Sequence, residues 1–267
     1  MSKAPKILIF DSGAGGLSVT AEIIKKCPGA LFTYAADRAY FPYGVKQDTE
    51  LTARIVSQVE SLYRKIQPDL VVVACNTAST LALETLRAEF PCPFVGVVPA
   101  IKPAAKLTRT GVIGVLATPA TVNRPYTHAL IENFAPNHNV VMYGSNTLVA
   151  LAEDKIAKGI LDEKQLSQEL TLLFAQPEGQ EIDTVVLACT HFPLLKPELI
   201  YWAKTENKTI TWVDSGQAIA DRVYSLLGNK YDEQEIIATL SSVPAALEFD
   251  LIETSLAETY HRYITLF

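Results

Sequence analysis

Hydrophobic residues along this chain fall into two kinds of run. Short, β-branched and non-alternating stretches at residues 6–10, 31–36, 69–75, 93–98, 111–116, 139–143, 183–189 and 208–213 have the pattern of parallel strands covered on both faces. Between them, residues 51–66, 78–90, 122–134 and 166–174 carry apolar side chains at helical spacing, as crossover helices do. The alternation predicts an α/β fold with mainly parallel sheets flanked by helices. Beyond residue 228 the chain reads as one more strand, 247–252, then a short amphipathic helix to Phe267.

Two of the strand runs nearly repeat each other. Leu70-Val71-Val72-Val73-Ala74-Cys75-Asn76-Thr77 and Val185-Val186-Leu187-Ala188-Cys189-Thr190-His191 each end a buried strand on a cysteine. A strand-turn-helix unit precedes each, at 7–19 and 112–122; Asp11 lies 64 positions before Cys75 and Ala117 lies 72 before Cys189. This predicts two similar domains related by a pseudo-twofold axis, with residues 1–98 plus 209–267 forming the first and 99–208 the second. The active site is expected in the cleft between them. Strand ends are where an open α/β sheet presents side chains to a ligand, so two such thiols can face one substrate from opposite sides.

Composition narrows the partner. The 267 residues are 49% apolar and 19% charged, with a net charge of −6 and no Lys/Arg-rich block. That argues against nucleic acid or an anionic membrane and for a small molecule. The apolar run at 7–10 is too short for a signal-peptide core, and no stretch approaches the roughly 20 residues of a membrane span; a cytoplasmic protein is expected. The four cysteines have no paired short spacing, so they read neither as a disulfide framework nor as a zinc site.

Asp11-Ser12-Gly13-Ala14-Gly15-Gly16 sits between a strand and a helix, where backbone N–H groups hold anions such as carboxylates. Ser18 stands where the dinucleotide fingerprint needs its third glycine, and the P-loop's Gly-Lys-Ser/Thr is missing, which argues against nucleotides. The same residues also suit a tight turn with Asp11 capping the helix. Pro42-Tyr43-Gly44 is either a plain turn or a loop presenting N–H groups to a ligand. Cys75, at a strand-to-helix junction, feels the positive helix end and loses its proton more easily than the reference value of about 8.5; a buried cysteine is otherwise a small apolar filler. Asn76 and Thr77 cap that helix or bind a substrate carboxylate.

His191, two residues beyond Cys189 in an extended segment, returns to the same face and is placed to polarise the thiol, unless it is a buried histidine satisfied by backbone. Glu153 closes an apolar helical stretch and either approaches the site or stays an exposed helix-end carboxylate. Thr118 and Thr121 bind ligand or cap a helix. Cys27, Cys92, His128, His138 and His261 are assigned to structure or surface.

Inverting an α-carbon requires a base on one face and an acid on the other, and two thiols supply the pair. Without a cofactor, the carbanion is stabilised by hydrogen bonds to the α-carboxylate in a water-excluded site, from groups such as Ser12, Asn76, Thr77 and Thr190.

With these residues assembled, the chain resembles the glutamate racemase family of the cofactor-independent aspartate/glutamate racemase superfamily. The resemblance runs from Ile7 to Leu227 through Asp11-Ser12-Gly13-Ala14-Gly15-Gly16-Leu17, Pro42-Tyr43-Gly44, Ala74-Cys75-Asn76-Thr77-Ala78, Ala117-Thr118, Cys189-Thr190-His191-Phe192-Pro193 and Val213-Asp214-Ser215. It implies two α/β domains, interconversion of L- and D-glutamate for peptidoglycan, no pyridoxal phosphate, no metal, and a homodimer. Carried over, Cys75 and Cys189 are the acid/bases, assisted by Asp11 and His191 respectively. Substrate contacts fall to Asp11, Ser12, Tyr43, Gly44, Asn76, Thr77, Thr190 and His191, with Glu153, Thr118 and Thr121 behind them. Cys75 would act on the D-enantiomer and Cys189 on the L-enantiomer.

Ala14, Ala120 and Ala188 depart from the family's usual residues, with an expected effect on loop mobility or turnover. The few residues before the first strand argue against activation by a muramyl-alanine nucleotide. Rival readings are a racemase for aspartate, disfavoured because glutamate usually follows the second Cys-Thr in that branch; a thiol hydrolase built on Cys189 and His191; and a non-catalytic binding protein.

Overall fold

The computed structural model describes residues 4–228, 249–253 and 259–262. In chain order it runs β1 (Lys6–Asp11), α1 (Leu17–Lys26), β2 (Leu31–Ala36), α2 (Asp48–Ile66), β3 (Leu70–Val73), α3 (Asn76–Glu89) and β4 (Phe94–Gly96). There follow α4 (Ile101–Leu107), β5 (Val112–Ala117), α5 (Pro119–Val122), α6 (Pro125–Phe134), β6 (Asn139–Gly144), α7 (Thr147–Lys158), α8 (Glu163–Phe174), β7 (Thr184–Leu187), α9 (Lys196–Thr205) and β8 (Thr211–Val213). The chain then forms α10 (Gly216–Gly228), β9 (Phe249–Glu253) and β10 (Thr259–Arg262). It divides into two compact units, Met1–Val97 with Gly216–Phe267, and Val98–Ser215.

Both units are wound alike. The first sheet has the order β10-β9-β2-β1-β3-β4 and the second β6-β5-β7-β8, so β1 to β4 and β5 to β8 occupy corresponding positions. All pairings among those eight strands are parallel, and the complete burial of β3, β5 and β7 explains their continuous apolar sequence. In the first unit, Leu51, Ile55, Val59 and Leu62 of α2 and Ala78, Ala82 and Leu86 of α3 pack with Leu8, Phe10, Val71 and Val73 of the sheet. α1 packs against α10. In the second unit, Ile101 and Ala104 of α4 pack with Ile113, Val115 and Val186. Among the described residues no helix is long and apolar enough to cross a membrane.

The structure differs from the sequence expectations at several points. The run from residue 209 does not return to the first unit: β8 pairs with β7 in the register Thr184↔Thr211, Val185↔Trp212 and Val186↔Val213, so the crossing falls at Gly216. The earlier crossing falls after Val97, which leaves residue 98 with the second unit. The single helix expected over 122–134 is broken, because Arg124 precedes Pro125 and takes extended backbone (φ −78°, ψ 134°). Proline disfavours helical geometry in its predecessor and is well suited to start a new helix. Thr259–Arg262 is a strand rather than helix, pairing antiparallel with β9; backbone pairing to a neighbour outweighs weak helical periodicity. The other residues of that expected helix, and 247–248 of the expected strand, lie outside the described residues.

One carboxylate fixes a corner of the second unit. Asp183 accepts from the Thr108 hydroxyl (2.7 Å), the backbone N–H groups of Arg109 (2.7 Å) and Thr110 (3.1 Å), and the Thr184 hydroxyl (3.0 Å). Burial works to raise its pKa, but these donors together outweigh it and bring the group from 3.8 to about 2. Replacing Asp183 by Ala is expected to cost about 1–3 kcal/mol. A depressed carboxylate pKa adds stability that is complete above the unfolded value and lost as pH falls through the folded one. The gap between wild type and variant in chemical unfolding should therefore persist above pH 3.8 and close as pH falls through about 2; a pH-independent gap would refute this account.

Candidate active site

A parallel strand that stops beside a longer neighbour leaves its next residue hydrogen-bonded to that neighbour. The N–H of Ala74 donates to Phe10 O (2.7 Å), and the N–H of Ala188 donates to Leu116 O (2.8 Å). Each bond sits one residue before a cysteine, so Cys75 and Cys189 leave equivalent strand ends. Cys75 takes extended backbone as N-cap of α3. Its carbonyl accepts from the Ser79 N–H (2.8 Å), while the Ser79 hydroxyl turns back to Val73 O (2.8 Å).

In the first unit Asp11 is fully buried at the end of β1. Its Oδ1 accepts from the Gly13 N–H (2.9 Å) and the Ser12 hydroxyl (3.2 Å). The Ser12 Oγ also lies 3.8 Å from Cys75 Sγ. An ionised carboxylate only accepts, and a serine hydroxyl has one proton; with that proton directed to Asp11, the Ser12 oxygen is left as acceptor for the Cys75 thiol. Tyr34 supports the loop by donating to Gly13 O (2.7 Å). Asn76 and Thr77, both 5% exposed, open α3, and the buried Asn76 Oδ1 has no hydrogen-bond partner. Tyr43 is buried in the same apolar cluster as Cys75, and Gly44 follows it in the short 3-10 turn Tyr43–Val45.

In the second unit Cys189 Sγ lies 3.7 Å from His191 Nδ1, and His191 Nε2 lies 2.7 Å from Glu153 Oε1 on α7. An ionised Glu153 requires its partner to donate, which places the ring proton on Nε2 and leaves Nδ1 to accept from the thiol. Glu153 is therefore engaged rather than an exposed helix-end charge. Thr190, between the two, is 5% exposed.

Thr118 and Thr121 are directed to each other. The Thr118 Oγ1 accepts from the Thr121 N–H (3.3 Å) and lies 3.0 Å from the Thr121 hydroxyl, so Thr118 caps α5 and Thr121, within that helix, is the residue it caps. Sequence reasoning missed Asp37 and Arg54, which stand beside Tyr43: Arg54 grips Asp37 through Nε (2.9 Å) and Nη2 (2.7 Å), and the Tyr43 hydroxyl donates to Asp37 (2.8 Å). The available signal was weak, because an arginine on the polar side of an amphipathic helix reads as a solvated charge. Among the described residues, no group of three or more His, Cys, Asp or Glu side chains is placed to hold a metal ion.

These geometries can be set beside known proteins. The model of a family described as Asp/Glu/Hydantoin racemase matches residues 7–223. The chain is 47% identical over 230 residues to a glutamate racemase of Shewanella sp. (strain MR-4), covering 86% of this chain and 82% of that protein. It is similar to the crystal structure of Escherichia coli glutamate racemase in complex with L-glutamate and the activator UDP-MurNAc-Ala: TM-score 0.80, 46% identity, 84% of this chain and 83% of that chain covered. It is also similar to the RacE1 isoform of glutamate racemase from Bacillus anthracis: TM-score 0.70, 30% identity, 86% and 84% covered.

The Asp11 loop leaves no room for a further carbon at Gly16, where a Cβ would lie 2.8 Å from the Tyr34 hydroxyl, 2.9 Å from Asp11 Oδ2 and 3.0 Å from Ala74 Cβ. Gly16→Ala is expected to destabilise the protein by about 1–3 kcal/mol, read as a lower midpoint in denaturant unfolding. An unchanged midpoint would mean that the loop yields freely.

Proposed function

Because this chain belongs to the glutamate racemase branch of the Asp/Glu/Hydantoin racemase family and is a racemase, an isomerase, we propose that it interconverts L- and D-glutamate by two-base proton transfer without a cofactor. The observation that carries the mechanism is the pair of hydrogen-bonded chains, Cys75–Ser12–Asp11 and Cys189–His191–Glu153, at equivalent strand ends of two similarly wound units. Each thiol is backed by a bridging group and a carboxylate.

One thiol, as thiolate, takes the α-proton from one face of the substrate and becomes a thiol. The Cα–H electron pair passes into the α-carboxylate, which takes on enediolate character. The second thiol then gives its proton to the opposite face and is left as thiolate. Glutamate leaves inverted, and the enzyme is left with its two thiols in exchanged protonation states. Cys189 serves L-glutamate and Cys75 serves D-glutamate. The unpartnered Asn76 Oδ1 is suited to accept from the substrate's α-ammonium, since a buried acceptor is costly without a donor. Thr77, Thr190, Ser12 and the Tyr43–Gly44 segment offer polar groups to the carboxylates, where donors matter most as negative charge develops. The product's use in peptidoglycan synthesis follows from the same reading.

Cys189–His191–Glu153 alone has the order of a thiol hydrolase triad. Hydrolysis would give the Cys75 chain no task, and family membership favours racemisation.

The test is proton NMR of L- and D-glutamate with purified protein in D₂O, with L-aspartate alongside, and with and without UDP-MurNAc-Ala. Loss of the α-proton with appearance of the other enantiomer is expected for glutamate alone. Cys75→Ser and Cys189→Ser should each reduce racemisation at least about 10²-fold, the lower range for losing a general acid or base. Full activity in either variant would overturn the two-base mechanism, and exchange of aspartate alone would overturn the substrate assignment.

A further inference from the structure

A buried charge outside the proton-transfer chains lies beside the first of them. Asp37 directly follows β2, and its side chain is fully buried. Its backbone N–H donates to Asp11 O (2.9 Å), as Ser145 donates to Ala117 O (2.8 Å) at the equivalent place in the second unit. A carboxylate taken from water is costly unless it is paired and hydrogen-bonded, and the arginine fork provides both. Arg54 donates to both Asp37 oxygens, while its own side chain remains 30% exposed. Asp37 is thus tied to Asp11 through the backbone and to α2 through the guanidinium.

The same carboxylate accepts from Tyr43 (2.8 Å). Burial first, then the neighbouring Asp37 charge, pushes this phenol well above its usual range, so Tyr43 remains a donor. The turn that follows, Tyr43–Val45, has no side-chain cap, and the Tyr43 hydroxyl supplies an anchor. The duplicated fold offers a parallel: Arg54 is the seventh residue of α2 and Glu153 the seventh of α7, and each holds a group beside its unit's thiol.

We propose that the Arg54–Asp37 pair is the positioning device of the Cys75 half-site, anchoring the Tyr43 hydroxyl and thereby holding the Tyr43–Gly44 segment beside the thiol for substrate. This rests on the reading that Tyr43 and Gly44 contact glutamate. Asp37 and Arg54 are positioning residues and take no part in proton transfer.

The experiment compares the full-length wild type with Tyr43→Phe, Asp37→Asn, Arg54→Lys and the Tyr43→Phe/Asp37→Asn double variant. It measures kcat and KM for both enantiomers, and iodoacetamide labelling of Cys75 relative to Cys189 by peptide mass spectrometry. Tyr43→Phe and Asp37→Asn should each raise KM about 10-fold, the scale of one lost hydrogen bond, with kcat changed less than about threefold. The double variant should be no worse than either single one, and Arg54→Lys should give a smaller rise, since lysine keeps the charge and loses the fork. Labelling of Cys75 should accelerate several-fold relative to Cys189, a ratio that general destabilisation would not move. An unchanged KM and labelling ratio in Tyr43→Phe, or KM effects that multiply in the double variant, would overturn the proposal. Tyr43→Phe leaves the ion pair in place, so it decides the matter alone if Asp37→Asn fails to fold. If wild type does not turn over glutamate, the substrate reading fails, and the labelling ratio still decides the positioning.

Discussion

A backbone hydrogen bond across two parallel strands sets where each of the two strand-end thiols sits. β3 and β7 are short, and the residue after each is joined to the carbonyl of a central neighbour, Phe10 or Leu116. The cysteine follows at once, outside the ladder, and its carbonyl accepts from a residue further along the chain, Ser79 or Phe192. Had either strand paired for two residues more, its cysteine would be a ladder position like the residues before it, and side-chain alternation would decide its direction. The candidate site therefore depends on where pairing stops, a property of the sheet rather than of the cysteines themselves.

The duplicated frame carries different supports. Beside Cys75 the end of the adjacent strand β1 supplies Asp11 and, just after it, Ser12; at the matching positions beside Cys189 stand Ala117 and Thr118, and the threonine is spent on capping α5. The second unit instead draws its carboxylate from a helix and its bridge from the residue two beyond the thiol. Ser145, which matches Asp37, also caps, its Oγ accepting from the Leu148 N–H (2.9 Å). Similar backbones thus present two distinct sets of side chains at their strand ends.

Much of this was legible in the sequence. The eight apolar runs correspond to β1 through β8; the signature is plainest at β3, β5 and β7, which are buried throughout. The two Cys-centred repeats announced the duplication. What stayed hidden was set by long-range pairing: residues 211–213 give no local sign of which sheet they join, and a four-residue edge strand at 259–262 looks as amphipathic as a short helix. The same limit applies to the site. Adjacency in sequence exposed Ser12 beside Asp11 and His191 beside Cys189. Glu153 lies 38 positions from its histidine and Arg54 lies 17 from its aspartate, distances over which sequence pattern does not identify a partner.

The two bridging groups differ in capacity. A serine hydroxyl passes a proton along but does not keep an extra one at neutral pH, whereas an imidazole holds one at either nitrogen and tolerates both at once. In the proposed mechanism a proton arriving at the Cys75 sulfur would therefore have no neighbouring reservoir in Ser12, and one arriving at Cys189 would have His191 in which to wait. Two similarly wound units would in this way offer one shallow and one deep proton store.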